Sequence, residues 1–106
     1  MDLLTPELRA ELPKLYSQDG NSNPTVFAKF FFPAGSWTWF VTEGEPDGDD
    51  FRFFGYVIGE FDEWGYFSLI ELEGINVHGL TVERDLYFDK GPFEDVIAKF
   101  GNERGE

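Results

Sequence analysis

The sequence predicts an α+β fold, an antiparallel sheet of four to five strands with an N-terminal and a C-terminal helix packed on it. Three observations predict it. Helix signals sit at the two ends of the chain, and between them aromatic and β-branched runs are separated by short turns. Both alternating sets within those runs are largely apolar, so each face of the sheet needs a cover.

The first helix is read at Leu4-Thr5-Pro6-Glu7-Leu8-Arg9-Ala10-Glu11-Leu12. Thr5 suits the N-cap, Pro6 the first helical position, and Glu7 the positive end of the dipole. Leu4, Leu8 and Leu12 form an apolar edge at i, i+4 spacing, and Pro13 ends the helix. Residues 17–24 are a polar connector of turn formers. Strands are expected at 25–32, 36–42 and 51–60, with Pro33-Ala34-Gly35 as a hairpin turn between the first two. A fourth strand is expected at 64–67. Ser68-Leu69-Ile70-Glu71 then matches a capping box opening a short helix that Gly74 closes. Residues 80–88 read as the last strand and 92–100 as the C-terminal helix, with Phe93, Val96, Ile97 and Phe100 on one side. The tail from Gly101 is expected to fray.

A length of 106 residues fits one domain, 1–106, because two cores would each be too small to offset chain entropy. With 42% hydrophobic residues and 13 Phe, 4 Tyr and 3 Trp, that core is well supplied. No apolar run approaches the roughly 18–20 residues of a membrane span, and the start lacks a secretory pattern. Zero cysteines fit a reducing compartment, so a cytoplasmic location is expected. The formal charge of −13 disfavours direct binding of nucleic acid and of anionic membranes.

The charge is unevenly placed. Residues 43–73 hold ten acids, Glu43, Glu45, Asp47, Asp49, Asp50, Glu60, Asp62, Glu63, Glu71 and Glu73, against the single base Arg52. That is −9 of the −13 in 31 residues. Residues 43–50 are expected to form a solvated acidic loop. Asp47-Gly48-Asp49-Asp50 superficially resembles a calcium loop, but the twelfth position counted from Asp47 is Ile58 where a bidentate Glu is required, so no metal site is expected. His78, the only histidine, sits in a glycine-bounded turn and reads as an exposed loop residue. Glu83-Arg84-Asp85 reads as an ion pair organising a sheet edge. No nucleophile elbow, phosphate-binding loop or dinucleotide fingerprint is present, and no cofactor is expected.

Four blocks carry a family resemblance: Ser36-Trp37-Thr38-Trp39-Phe40-Val41-Thr42-Glu43-Gly44, Phe53-Phe54-Gly55-Tyr56-Val57-Ile58-Gly59, Gly65-Tyr66-Phe67-Ser68-Leu69-Ile70-Glu71-Leu72 and Glu83-Arg84-Asp85-Leu86-Tyr87-Phe88. With the Leu-Leu-Thr-Pro-Glu-Leu start, the chain resembles a bacterial domain-of-unknown-function family, number 2958, from Leu3 to about Phe88. The resemblance implies a small protein carried on plasmids, phages and other mobile elements, and it brings no catalytic residues with it. Two departures stand out: the acidic loop is shorter than in many relatives, and Trp64 replaces a smaller aliphatic residue.

These readings converge on a non-catalytic acidic interaction protein or inhibitor. Its expected partner is a basic protein, such as a nucleic-acid enzyme of host defence whose groove the carboxylates would occupy in place of phosphates. The expected partner-binding residues are the ten acids together with Trp64, with Trp37, Trp39, Phe53 and Phe54 as nearby apolar anchors. Two other readings stand beside it: an accessory or structural protein of a mobile element, self-associating as a homodimer, and a metal-assisted hydrolase using carboxylates.

Overall fold

In a computed structural model, which describes residues 2–103, helix α1 (Pro6–Glu11) begins on Thr5, whose side-chain oxygen accepts the Leu8 N–H. The strands follow in order: β1 (Thr25–Val26), β2 (Ala28–Phe31), β3 (Thr38–Asp47), β4 (Asp50–Ile58) and β5 (Asp62–Ser68). Helix α2 (Leu69–Glu73) is capped by Ser68, whose side chain accepts the Glu71 N–H, and ends at Gly74. The short strands β6 (Asn76–Val77), β7 (Leu80–Thr81), β8 (Glu83–Arg84) and β9 (Gly91–Pro92) lead into helix α3 (Phe93–Glu103).

The main sheet has the order β5-β4-β3-β2-β8 and is antiparallel throughout. The predicted sheet of four to five strands with a helix from each terminus packed on it is the observed architecture. The helices take opposite faces. On one face Leu3, Leu8 and Leu12 pack with Phe30, Trp39, Val41, Phe51, Phe53, Phe67 and Leu72. On the other, Val96 packs with Val26, Phe40 and Ile58, and Phe93 and Phe100 lie edge-on to Tyr56 and Phe40. Covers on both sides explain why alternation along β2 and β4 is weak.

Four expected elements differ. The strand expected at 25–32 is two strands, because Thr25–Val26 pairs with Gly91–Pro92 whereas Ala28–Phe31 pairs with β3 and β8. The strand expected at 80–88 is split into two-residue pieces: Leu80–Thr81 closes a hairpin with Asn76–Val77, and only Glu83–Arg84 reaches β2. Asp85 faces Lys29, donating its N–H to the Lys29 carbonyl and pairing with the Lys29 ammonium at 3.5 Å, and the chain then turns, with the Asp85 carbonyl accepting the Phe88 N–H and its side chain the Tyr87 N–H. The expected acidic loop is mostly strand. β3 runs on to Asp47, and the turn to β4 is only Gly48-Asp49, with Gly48 at φ 59° in the first turn position where a type II′ hairpin takes glycine. The helix α3 extends through Glu103, so residues 101–103 are helical rather than frayed, and 104–106 lie outside the described residues.

Gly55 and Gly65 oppose each other across β4 and β5. A Cβ on Gly55 would run into the Phe40 carbonyl, whereas one on Gly65 meets nothing within 4 Å. Gly55→Ala is expected to cost about 2–4 kcal/mol and Gly65→Ala less than about 0.5 kcal/mol, measured by urea denaturation.

Candidate functional site

The ten acids of residues 43–73 divide into those turned to the protein's own backbone and those turned to solvent. Glu43 is 4% exposed. Its Oε1 accepts the Tyr16 N–H and its Oε2 the Gln18 N–H, each at 2.7 Å. Glu45 Oε1 accepts the Leu15 N–H at 3.0 Å. Asp50 Oδ1 accepts the N–H groups of Phe51 and Ile70, which ties the start of β4 to the first turn of α2. The Ile70 N–H, foremost, with that of Phe51, the Ser68 hydroxyl and the Arg52 charge, holds the Asp50 carboxyl below its usual value against an opposing loss of solvent.

The cause of Glu43's position is local. The β3–β4 register shifts between Val41 and Glu43, so Val41 faces Gly55 while Glu43 faces Phe54, and Thr42 is the extra residue of a β-bulge. Opposed residues share a face. The bulge therefore puts Glu43 and Glu45 with Phe54 and Arg52, away from α1, and turns Gly44 toward the α1 core, where a Cβ would lie 2.6 Å from the Phe51 ring. Residues 14–22 lie over the turned-out carboxylates as a strap. Gln18 locks it, because its side-chain amide donates to the Thr25 and Thr42 carbonyls and accepts the Thr25 N–H at 2.7 Å.

Between this strap and the sheet lies a cleft of ≈ 320 Å³, lined by Tyr16, Gln18, Thr42 and Glu43 below and by Phe54, Trp64 and Tyr66 along one wall. The Phe54 and Trp64 rings are stacked at 6.0 Å and 14°, and Tyr66 lies 4.9 Å from Phe54. Trp64 is 39% and Tyr66 47% exposed. A hydrogen bond with the Tyr16 side chain, partial loss of solvent, and the charges of Tyr16 and Glu43 push the Tyr66 phenol up from its usual value.

The exposed acids follow the sheet edge. Asp47 and Asp49 occupy the β3–β4 hairpin tip, and Glu60, Asp62 and Glu63 lie in and beside the β4–β5 turn. These groups stand at opposite ends of nine-residue β4, roughly 27 Å apart at the ordinary strand rise. Glu71 and Glu73 are exposed on α2. Arg52 comes within 3.8 Å of Asp47. The strand between the two groups, β5, pairs with β4 alone among the described strands and has Trp64 and Tyr66 on its surface.

Of the expected apolar anchors, Phe53 and Trp39 are core residues, since the strand register turns both onto the α1 face. Trp37 stacks on Trp39 at 5.9 Å and stays 43% exposed at one end of an apolar groove with Phe32, Val57, Leu72 and Ile75. An anchor that strand patterning passed over is Phe61, 76% exposed between Glu60 and Asp62. Its flanking acids were the available signal, because a phenylalanine inside a charged turn has no core to enter. Tyr16 and Gln18 were likewise missed, since no spacing rule brings residues 16–18 to residue 43.

His78 lies in the β6–β7 turn with a left-handed φ of 54°, followed by Gly79 at 87°. Among the described residues no group of three or more His, Asp or Glu side chains is placed to hold a metal ion. No helix of the described residues is long and apolar enough to cross a membrane.

The fold and site together define an α+β protein with one acid-lined sheet edge and a strap pinned by a buried carboxylate. The chain belongs to the family described as protein of unknown function (DUF2958), whose model matches residues 3–104. No curated protein and no solved structure matches it.

Glu43→Ala would leave two N–H groups of the strap without their acceptor. It is expected to cost about 2–4 kcal/mol and to open residues 14–22 to proteolysis, whereas Asp47→Asn and Asp49→Asn should each change stability by less than about 0.5 kcal/mol in urea denaturation.

Asp50 gives a pH signature. With its folded value below the usual 3.8, it favours the folded state above that pH, and the contribution disappears as pH falls through the lowered value. The melting temperature of wild type relative to Asp50→Asn should therefore decline between about pH 6 and pH 3. A difference that stays constant over that range would contradict the assignment.

Proposed function

We propose that this protein is a non-catalytic acidic inhibitor that occupies a basic groove on a nucleic-acid enzyme. The observation that carries the reading is the outward set of carboxylates on and around the open β5 edge: Asp47, Asp49, Glu60, Asp62, Glu63, Glu71 and Glu73, with Arg52 the only base in residues 43–73. The seven charges form two groups at the ends of β4, roughly 27 Å apart, with the uncharged run Trp64-Gly65-Tyr66-Phe67 of β5 between them. A groove lined with lysine and arginine for a phosphate backbone would meet carboxylates at two places along its length here, delivered by a rigid sheet.

Rigidity matters because association costs the freedom of whatever must be ordered. Glu45 and Asp50 fix backbone, so the edge is organised before a partner arrives. Phe61 supplies an apolar anchor at one end of the charged set, the arrangement in which a few buried aromatic contacts hold a complex while charges steer the encounter. A cytoplasmic, mobile-element setting and a defence nuclease as target belong to the same reading. They rest on the absence of cysteine and on the family resemblance rather than on the geometry.

The test uses host nucleic-acid enzymes as candidate partners and compares wild type with a variant carrying Asp47→Asn, Asp49→Asn, Glu60→Gln, Asp62→Asn and Glu63→Gln. These positions leave the backbone-holding carboxylates in place, so circular dichroism should be unchanged. Wild-type association is expected to slow by about tenfold or more between 50 and 300 mM salt, duplex DNA is expected to compete, and the variant should associate slowly at both concentrations. Phe61→Ala should act instead on the dissociation rate. Salt-independent binding that is equal for both proteins would remove the case for mimicry.

A further inference from the structure

The cleft under the strap combines features that charge steering alone does not require. Its floor is a carboxylate withdrawn from solvent, and its wall is a run of aromatic rings. Among the described residues no lysine or arginine pairs with Glu43. Asp19, the other carboxylate of the lining, adds to the same sign, and the cation beside the cleft wall is Arg52, whose guanidinium lies 5.4 Å over the Tyr66 ring and 3.8 Å from Asp47. Each Glu43 oxygen already accepts one N–H, which fixes the carboxylate in place and leaves further acceptor capacity on both oxygens. Held this way, the group pays no ordering cost when a donor arrives.

We propose that this cleft takes up a guanidinium, the side chain of an arginine presented by the basic partner, and that Glu43, Trp64 and Tyr66 are its recognition residues. The inference rests on the reading of a basic partner and names the chemistry of one contact. A planar guanidinium fits here for two reasons. Its forked N–H donors match the acceptor capacity that remains on the two Glu43 oxygens, and its flat face stacks on an aromatic ring such as Trp64, as Arg52 already does at 5.4 Å over Tyr66, where a compact ammonium gains less. The volume of ≈ 320 Å³ admits one side chain rather than a folded segment. The charge of Glu43 is shielded from salt by the strap, so this contact would persist under conditions that weaken the exposed acids. One protein surface would thus hold two kinds of carboxylate, a salt-sensitive set for encounter and a sheltered one for specificity.

The experiment titrates the full chain with N-acetyl-arginine amide and, separately, with its neutral isostere N-acetyl-citrulline amide, following backbone and Trp64 indole resonances by NMR at about 150 mM salt. Saturable shifts confined to Tyr16, Gln18, Glu43, Phe54, Trp64 and Tyr66, with a Kd in the millimolar range, are expected for arginine alone. Trp64→Leu, at a partly exposed position, should fold and lose about tenfold in affinity. Glu43→Gln should lose at least as much, and the Trp64 variant keeps the proposal testable should the Glu43 variant unfold. Equal shifts for arginine and citrulline, or shifts centred on Asp47 and Asp49 instead, would overturn the assignment. Arginine selectivity without DNA competition in the partner assay would retain the cleft and discard mimicry. Loss of selectivity with DNA competition intact would discard the cleft alone.

Discussion

The structure depends on where one carboxylate goes. Strict alternation along β3 would carry Glu43 and Glu45 to the face that holds Trp39 and Val41, and so into the core under α1. An unpaired carboxylate there would cost several kcal/mol. The extra residue at Thr42 prevents this, sending both acids to the opposite face and bringing Gly44 inward where only a glycine fits against Phe51 and Leu12. The displaced carboxylates then serve as acceptors for Leu15, Tyr16 and Gln18. Tyr16 takes a left-handed φ of 72° in that strap, a conformation that the paired backbone around it sustains.

From that arrangement the rest of the second face follows. Gln18 acts as a short extra rung, pairing with both backbone groups of Thr25 and with the Thr42 carbonyl that the bulge leaves outside the ladder. Gly44 donates to the Pro13 carbonyl, which closes the end of α1 onto β3. The strap covers one half of the face and α3 the other. Trp64 stands between them, stacked on Phe54 and tilted against Phe93 at 4.7 Å. A smaller aliphatic residue at this position would lose both contacts and lower the cleft wall.

Acidic side chains do two jobs in this molecule, and burial separates them. Glu43, Glu45 and Asp50 accept backbone N–H groups that would otherwise lack partners, a use that works because charged acceptors bond more strongly than neutral ones. Asp47, Asp49, Glu60, Asp62, Glu63, Glu71 and Glu73 remain in water, where their mutual repulsion costs little and their field extends outward. Acids along β5 also keep its open edge from pairing with another sheet.

The helix caps at Thr5 and Ser68, the glycine after α2, the helix near the C-terminus and the existence of a sheet with two apolar faces were all legible in the sequence, because each rests on contacts within a few residues. So was the concentration of charge, which is a matter of counting. Tertiary structure alone decided the rest. Strand 25–32 divides because its two halves find different partners, and 80–88 fails to extend because the chain turns after Asp85, whose carbonyl and side chain accept the Phe88 and Tyr87 N–H groups. The supposed loop at 43–50 becomes strand because residues 43–47 pair with 50–54 of β4 around a two-residue turn, and the Glu43 and Glu45 side chains find donors about 25–30 residues away in sequence. A carboxylate's chemical type is written in the sequence, but whether it faces water or a backbone N–H depends on register. One inserted residue at a bulge reverses that register, and the pairing that selects it is made across the fold.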